Sequence, residues 1–142
     1  MNEKIPVFLF NGFLDSGKTT LIKEIIDGEP AYQTKDTLII SFEDGEVEFS
    51  KSWIEKNNIN FVLIEDEDLE NENLFFEIVQ KYQPKQIVIE LNAFVDFNSL
   101  RLPRNFVIHQ EVTLFDATKF ELYYNNMKPL INQMHLTQLQ FV

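Results

Sequence analysis

The sequence has no cysteine and only two histidines among its 142 residues. The lack of cysteine excludes disulfide bonds and every thiolate metal site. No apolar run approaches the roughly 20 residues of a membrane-spanning helix, and the N-terminus lacks the layout of a signal peptide. We therefore expect a cytoplasmic protein with no membrane span.

Basic residues are also scarce, with 12 lysines and arginines against 23 acidic residues and a net charge of -11. A field of this sign disfavours general binding to nucleic acid or to an anionic membrane. It leaves room for a local phosphate site, which a helix N-terminus and one lysine can form. The chain includes 14 phenylalanines, an apolar content that predicts a folded core rather than disorder.

Apolar runs that predict strands alternate with stretches of helical periodicity along the whole chain. The predicted strands are 5–10, 37–42, 60–64, 86–90, 111–115 and 137–142, and the predicted helices are 18–27, a short one after Ser50, 74–82 and 117–134. Residues 92–106 look irregular. This alternation predicts an α/β fold with a mostly parallel sheet and right-handed crossovers.

The chain ends inside an apolar run, so we expect residues 1–142 to form one domain that is truncated on its C-terminal side. An incomplete sheet has an unpaired edge. Such an edge can pair with a second copy, and a homodimer through it is the resulting expectation.

The pattern Gly-x-x-x-x-Gly-Lys-Thr runs from Gly12 to Thr19. An apolar strand precedes it and an amphipathic helix follows it, which is the context that a P-loop requires. With this motif, the expected α/β architecture is a three-layer P-loop NTPase fold, and residues 1–142 are expected to form one incomplete nucleotide-binding domain. Lys18 is expected to bring its charge to the β- and γ-phosphates, the Thr19 hydroxyl to bind Mg²⁺, and Thr20 to face the α-phosphate. The alternative is a glycine-rich turn that binds nothing. The expected phosphate-binding residues are Gly12, Asp15, Ser16, Gly17, Lys18, Thr19 and Thr20.

Three carboxylates stand at the ends of predicted strands, where open parallel sheets bind their ligands. Glu90 directly follows an Ile-Val-Ile run and is the best candidate for the acidic residue near Mg²⁺; a surface-loop carboxylate is the alternative. Glu43 is equally open to both interpretations, and Asp116 is favoured as the N-cap of the next helix. The predicted catalytic residues are Lys18, Glu43 and Glu90, and the predicted metal-binding residues are Thr19, Glu43 and Glu90.

Other notable residues favour structural roles. Residues 65–72 contain six carboxylates in eight positions, and a solvated loop leading into a helix is preferred there over a weak cation site. His109 and His135 have no partners at metal-ligand spacing and are expected to be structural. Trp53 is expected in the core rather than in a base-stacking platform.

Residues 11–21 read Asn-Gly-Phe-Leu-Asp-Ser-Gly-Lys-Thr-Thr-Leu, and this segment resembles the opening of the CobW-type GTPases, Thr-Gly-Phe-Leu-Gly-Ser/Ala-Gly-Lys-Thr-Thr-Leu. That family belongs to the SIMIBI class of P-loop proteins and includes metallochaperones and cobalamin-synthesis proteins. Residues 42–47 are similar to the family's Asn-Glu-Phe-Gly-Glu-Val, residues 90–93 to its Glu-Thr-Ser/Thr-Gly, and residues 112–120 to its Val-Asp-Ala-x-x-Phe segment.

The resemblance implies a protein that binds GTP with Mg²⁺, hydrolyses it slowly and acts as a conformational switch for a client protein or metalloenzyme. Glu43 would be the switch element near the γ-phosphate. The chain departs from the family by lacking its Cys-x-Cys-Cys motif near 65–73 and by having Ala93 in place of glycine. The family's guanine-reading motif would lie beyond Val142. A catalytically degenerate nucleotide-binding scaffold and, less favoured, an ATP-dependent protein therefore stay open.

Overall fold

The structure is a computed structural model that describes residues 3–12, 17–42, 49–92, 100–115 and 139–141. Its strands are β1 (Ile5–Gly12), β2 (Thr37–Ser41), β3 (Asn60–Leu63), β4 (Gln86–Asn92), β5 (Phe106–Phe115) and β6 (Leu139–Phe141). Its α-helices in these residues are α1 (Lys18–Gly28), α2 (Lys51–Asn57) and α3 (Leu74–Tyr82), and short 3-10 helices cover Pro30–Tyr32 and Asp66–Glu70. No helix in this part of the chain is both long enough and apolar enough to span a membrane.

The six strands form one sheet in the order β3-β2-β4-β1-β5-β6, and every neighbouring pair is parallel. The fold is therefore the predicted α/β P-loop type, with a sheet that is parallel throughout its described strands. β1 lies inside the sheet, between β4 and β5.

Two apolar layers cover the two faces of this sheet. On one face, α1 and α2 pack through Ile22, Ile26 and Trp53 onto Phe10 and Ile39. On the other face, α3 packs through residues that include Phe75 and Ile78, beside Leu100 and Leu102 of the segment that follows β4. Because both faces are covered, every residue of β2 is buried and the strand reads as a nearly continuous apolar run.

The connections that leave β1 and β4 lie on opposite faces of the sheet. β1 and β4 are neighbours, yet the chain leaves β1 towards the face of α1, whereas residues after β4 pack on the face of α3. Ligands in open parallel sheets bind at such a reversal, outside the carboxyl ends of the strands. The turn between β1 and α1 lies at this point.

Most element predictions are confirmed, and the main correction concerns the strand bounds on either side of the segment predicted to be irregular, 92–106. Its described residues 100–105 contain no helix or strand, but β4 continues to Asn92 instead of Glu90 and β5 begins at Phe106 instead of Glu111. The early part of β5 was not predicted because the polar residues His109 and Gln110 interrupt its apolar pattern. At this point the pairing with β1 shifts register, from Val7 opposite Ile108 to Phe8 opposite Gln110.

The other predicted elements can be compared with the structure one by one. α3 has the predicted bounds, and the predicted sixth strand is present as β6. The Ser50 hydroxyl caps α2 by accepting a hydrogen bond from the Trp53 N–H at 3.2 Å, and Trp53 is buried as expected. The acidic segment forms the exposed 3-10 helix Asp66–Glu70 instead of a plain loop. The predicted helix at 117–134 lies outside the described residues.

Candidate functional site

The turn between β1 and α1 begins and ends on glycines with positive φ angles, 151° at Gly12 and 99° at Gly17. L-residues with side chains rarely adopt this conformation, so glycine is required at both positions. Gly17 is also the residue before α1, and its carbonyl accepts the first helical hydrogen bond, from the Leu21 N–H at 2.9 Å. Asp15 and Ser16 lie between these glycines and outside the described residues.

Lys18 begins α1, and its side chain is buried with an exposed fraction of 1%. Its Nζ donates a hydrogen bond to the Gly12 carbonyl at 3.0 Å, so the side chain reaches back across the whole turn. Burying an ammonium group costs free energy unless hydrogen bonds and opposite charge compensate it. The fold therefore holds a positive charge against the backbone of the glycine turn.

Thr19 and Glu90 come together next to this lysine. The Thr19 hydroxyl donates a hydrogen bond to Glu90 Oε2, and both groups are buried. Glu90 pairs with Phe10 across β4 and β1, which places its carboxylate under the first turn of α1. The interpretation of Glu90 as a surface-loop carboxylate is wrong, because the residue is inside β4 and only 1% exposed.

Ser41 is part of this cluster, and the sequence analysis missed it. It is the last residue of β2, pairs with Glu90 across the two strands and is fully buried. Its hydroxyl donates a hydrogen bond to Glu90 Oε1 at 2.7 Å. The available signal was a single hydroxyl at the carboxyl end of a strand that is otherwise largely apolar.

Asn11 is a second residue that sequence reasoning missed. It is buried at the end of β1, and its Oδ1 accepts a hydrogen bond from the Gly12 N–H at 2.9 Å. This contact occupies the first N–H of the turn and helps to fix where the turn begins. Of the other predicted site residues, Thr20 is exposed on α1, whereas Glu43 and Asp116 lie outside the described residues.

The chemistry of this cluster suits an anion that is accompanied by a hard cation. The N-terminus of α1 is the positive end of the helix dipole, and Lys18 adds a full positive charge. The Thr19 hydroxyl and the Glu90 carboxylate supply oxygen atoms, the ligands that Mg²⁺ prefers. These residues therefore fit a magnesium ion beside a phosphate group.

The acidic segment around residues 65–72 and the two histidines have weaker support as metal-binding sites. Arg101 and Glu72 form an exposed ion pair at 2.9 Å, and the Glu65 N–H donates to Asp68 Oδ2 at 2.9 Å as a local cap. Within the described part of the chain, no three His, Asp or Glu side chains converge to hold a metal ion. His109 is exposed and packs its ring against Phe8, with 5.5 Å between the ring centroids; His135 lies outside the described residues.

Comparison with protein-family models shows which proteins share this chain's sequence pattern. The model described as CobW/HypB/UreG, nucleotide-binding domain, matches residues 6–139. This span contains the glycine turn, all of α1 and the strands that contribute Ser41 and Glu90. A search of curated proteins found no significant match.

Proposed function

Because the chain belongs to the nucleotide-binding family of CobW, HypB and UreG, we propose that it binds GTP together with Mg²⁺, hydrolyses it slowly and acts as a conformational switch. The observation that supports this most directly is the buried cluster of Lys18, Thr19 and Glu90 at the carboxyl end of β1 and β4. Burying an ammonium group and a carboxylate costs free energy, and a site for phosphate and Mg²⁺ gives a reason for that cost at the carboxyl ends of these strands.

Each residue of the cluster has a role in the proposed complex. Lys18 Nζ exchanges the Gly12 carbonyl for oxygens of the β- and γ-phosphates, and the N–H groups at the start of α1 bind the β-phosphate. The Thr19 hydroxyl and the Glu90 carboxylate hold the magnesium ion, with Glu43 proposed as a further acidic group. When bound, the ion neutralises charge that develops on the phosphates. Lys18 stabilises the same charge.

The switch is proposed for the segment that directly follows β2. The Phe42 N–H donates to the Glu90 carbonyl at 3.0 Å. The segment that contains Glu43 therefore begins next to a residue that is bonded to β4 at Glu90. Loss of the γ-phosphate would then release this segment, in the manner of order–disorder switches in other P-loop proteins. A client protein or metalloenzyme would respond to the release of this segment.

Equilibrium binding of fluorescent GTP, with competition by unlabelled GTP and ATP, tests the ligand. We expect binding that needs Mg²⁺ and is displaced by GTP far more effectively than by ATP. Equal displacement by ATP would contradict guanine preference and support the ATP-dependent alternative. A lack of nucleotide binding at any Mg²⁺ concentration would contradict the proposal as a whole.

A catalytically degenerate scaffold is the second candidate function, and Ala93 in place of the family's glycine favours it. Single-turnover hydrolysis separates the two candidates, with Glu90→Gln as the matched variant because it keeps the side-chain shape and removes the charge. We expect slow phosphate release by the wild type that falls to background in Glu90→Gln. Tight GTP binding with no release above background would support the scaffold.

A further inference from the structure

The Glu90 carboxylate accepts a hydrogen bond from a different hydroxyl on each of its two oxygens. Oε2 accepts from Thr19 on α1, whereas Oε1 accepts from Ser41 on β2 at 2.7 Å. The three side chains come from three separate elements and are all buried. A carboxylate held in this way has a fixed orientation about its last side-chain torsion, which is otherwise broad and roughly two-fold.

The backbone around Ser41 is already fixed without its hydroxyl. The Ser41 carbonyl accepts from the Ile64 N–H at 2.8 Å, and the neighbouring Phe42 N–H donates to the Glu90 carbonyl at 3.0 Å. These main-chain bonds join β2 to both of its neighbours at this level of the sheet. The Ser41 hydroxyl is therefore not needed to place the strand, and its contact acts on the carboxylate.

We propose that Ser41 is a positioning residue that holds Oε1 of Glu90, so that Oε2 stays directed at the Thr19 hydroxyl and the magnesium site. The inference rests on the proposed function, since it concerns how the chain's own residues prepare that site. Partners of this kind, which orient a metal-binding carboxylate without touching the metal, typically change metal affinity by about 10- to 100-fold when removed.

The chain provides a matched control on the same pair of strands. Thr37 lies at the amino end of β2, and its hydroxyl oxygen accepts a hydrogen bond from Gln86 Nε2 of β4 at 2.6 Å. Thr37 is buried like Ser41, and the two residues pair with Gln86 and Glu90 at opposite ends of the same ladder. Thr37→Val therefore removes a comparable cross-strand contact far from the glycine turn.

The experiment measures the Mg²⁺ concentration at half-maximal binding of fluorescent GTP, together with the melting temperature of each ligand-free protein. For Ser41→Ala we expect the half-maximal Mg²⁺ concentration to rise by about 10- to 100-fold, with the same maximal GTP binding once Mg²⁺ is saturating. Ser41→Thr, which restores a hydroxyl, should return it towards the wild-type value. Thr37→Val should lower the melting temperature and leave the Mg²⁺ dependence unchanged.

An unchanged Mg²⁺ dependence in Ser41→Ala would overturn the inference while leaving the proposed function intact, and so would an equal shift in Thr37→Val. If the wild type itself shows no Mg²⁺-dependent GTP binding, the proposed function fails and the inference fails with it. Should Ser41→Ala not fold, Ser41→Cys replaces the hydroxyl by a weaker donor of similar size. Its expected shift in Mg²⁺ dependence is smaller but in the same direction, and no shift in this variant overturns the inference.

Discussion

Replacing Thr19 by valine removes one hydroxyl and keeps the shape of the side chain, which makes it a sharp perturbation of the candidate site. In the ligand-free protein the Thr19 hydroxyl donates to the buried Glu90 carboxylate. Hydrogen bonds to charged groups contribute about 1.5–3 kcal/mol to stability. For a chain of this length, 1 kcal/mol corresponds to a change of about 4 °C in melting temperature. Thr19→Val should therefore melt about 6–12 °C below the wild type.

The same variant should lose its response to ligand. A ligand present at 100 times its Kd stabilises a protein by about 2.7 kcal/mol, which is an increase of about 10 °C by the same conversion. We expect the wild type to show an increase of this size with GTP and Mg²⁺, and Thr19→Val to show little or none because it lacks the hydroxyl that we propose as a magnesium ligand. Differential scanning fluorimetry with and without EDTA measures both effects.

Thr19→Ser is the matched control, because it keeps the hydroxyl and removes only a methyl group. It should lose about 1 kcal/mol of stability through the lost apolar contact and keep most of the increase with GTP and Mg²⁺. The reasoning would be refuted if Thr19→Val melted at the wild-type temperature and responded to GTP and Mg²⁺ as the wild type does.

Further predictions concern contacts outside the cluster. Asp27→Ala removes the acceptor of Trp53 Nε1 at 3.0 Å and of Asn57 Nδ2 at 3.2 Å; because both donors are buried, it should cost about 1–3 kcal/mol, measured by urea unfolding with the single tryptophan as probe. Ser50→Ala removes the cap of α2 and should cost about 1 kcal/mol in the same assay. Arg101→Ala breaks an exposed ion pair and should change stability by less than about 1 kcal/mol; a larger loss would show that this pair has a structural role. β6 lies at one edge of the sheet. If that edge pairs with a second copy of the chain, light scattering should detect a homodimer. A monomer at high protein concentration would contradict this expectation.

The glycine turn and its lysine could be predicted from the sequence because their chemistry is local. Gly12, Gly17, Lys18 and Thr19 fall within eight consecutive positions, and the strand and helix around them carry clear periodic patterns. Glu90 was identified for a similar reason, since it follows an apolar strand at the end where ligands bind. Its burial was not predictable, because burial depends on what packs above it.

The contact between Ser41 and Glu90 could not be predicted from the sequence. It joins residues 49 positions apart, and it exists only because β2 and β4 are neighbours in the sheet. Periodicity predicts that a segment is a strand but does not say which strand lies beside it. The early part of β5 was missed because His109 and Gln110 interrupt its apolar pattern, and only the pairing with β1 shows that the strand continues through a register shift there.

Isothermal titration of GTP and Mg²⁺ into the wild type, Lys18→Ala and Lys18→Met tests the central claim most directly. Lys18→Met keeps most of the length of the buried side chain and removes its ammonium group, with the hydrogen bond to the Gly12 carbonyl, so it separates loss of binding from loss of packing. The account predicts saturable binding by the wild type, and a loss of at least about 100-fold in affinity in both variants if Lys18 makes charge-assisted bonds to two phosphates. Wild-type affinity in a folded Lys18→Met protein would contradict the claim that this turn binds the triphosphate.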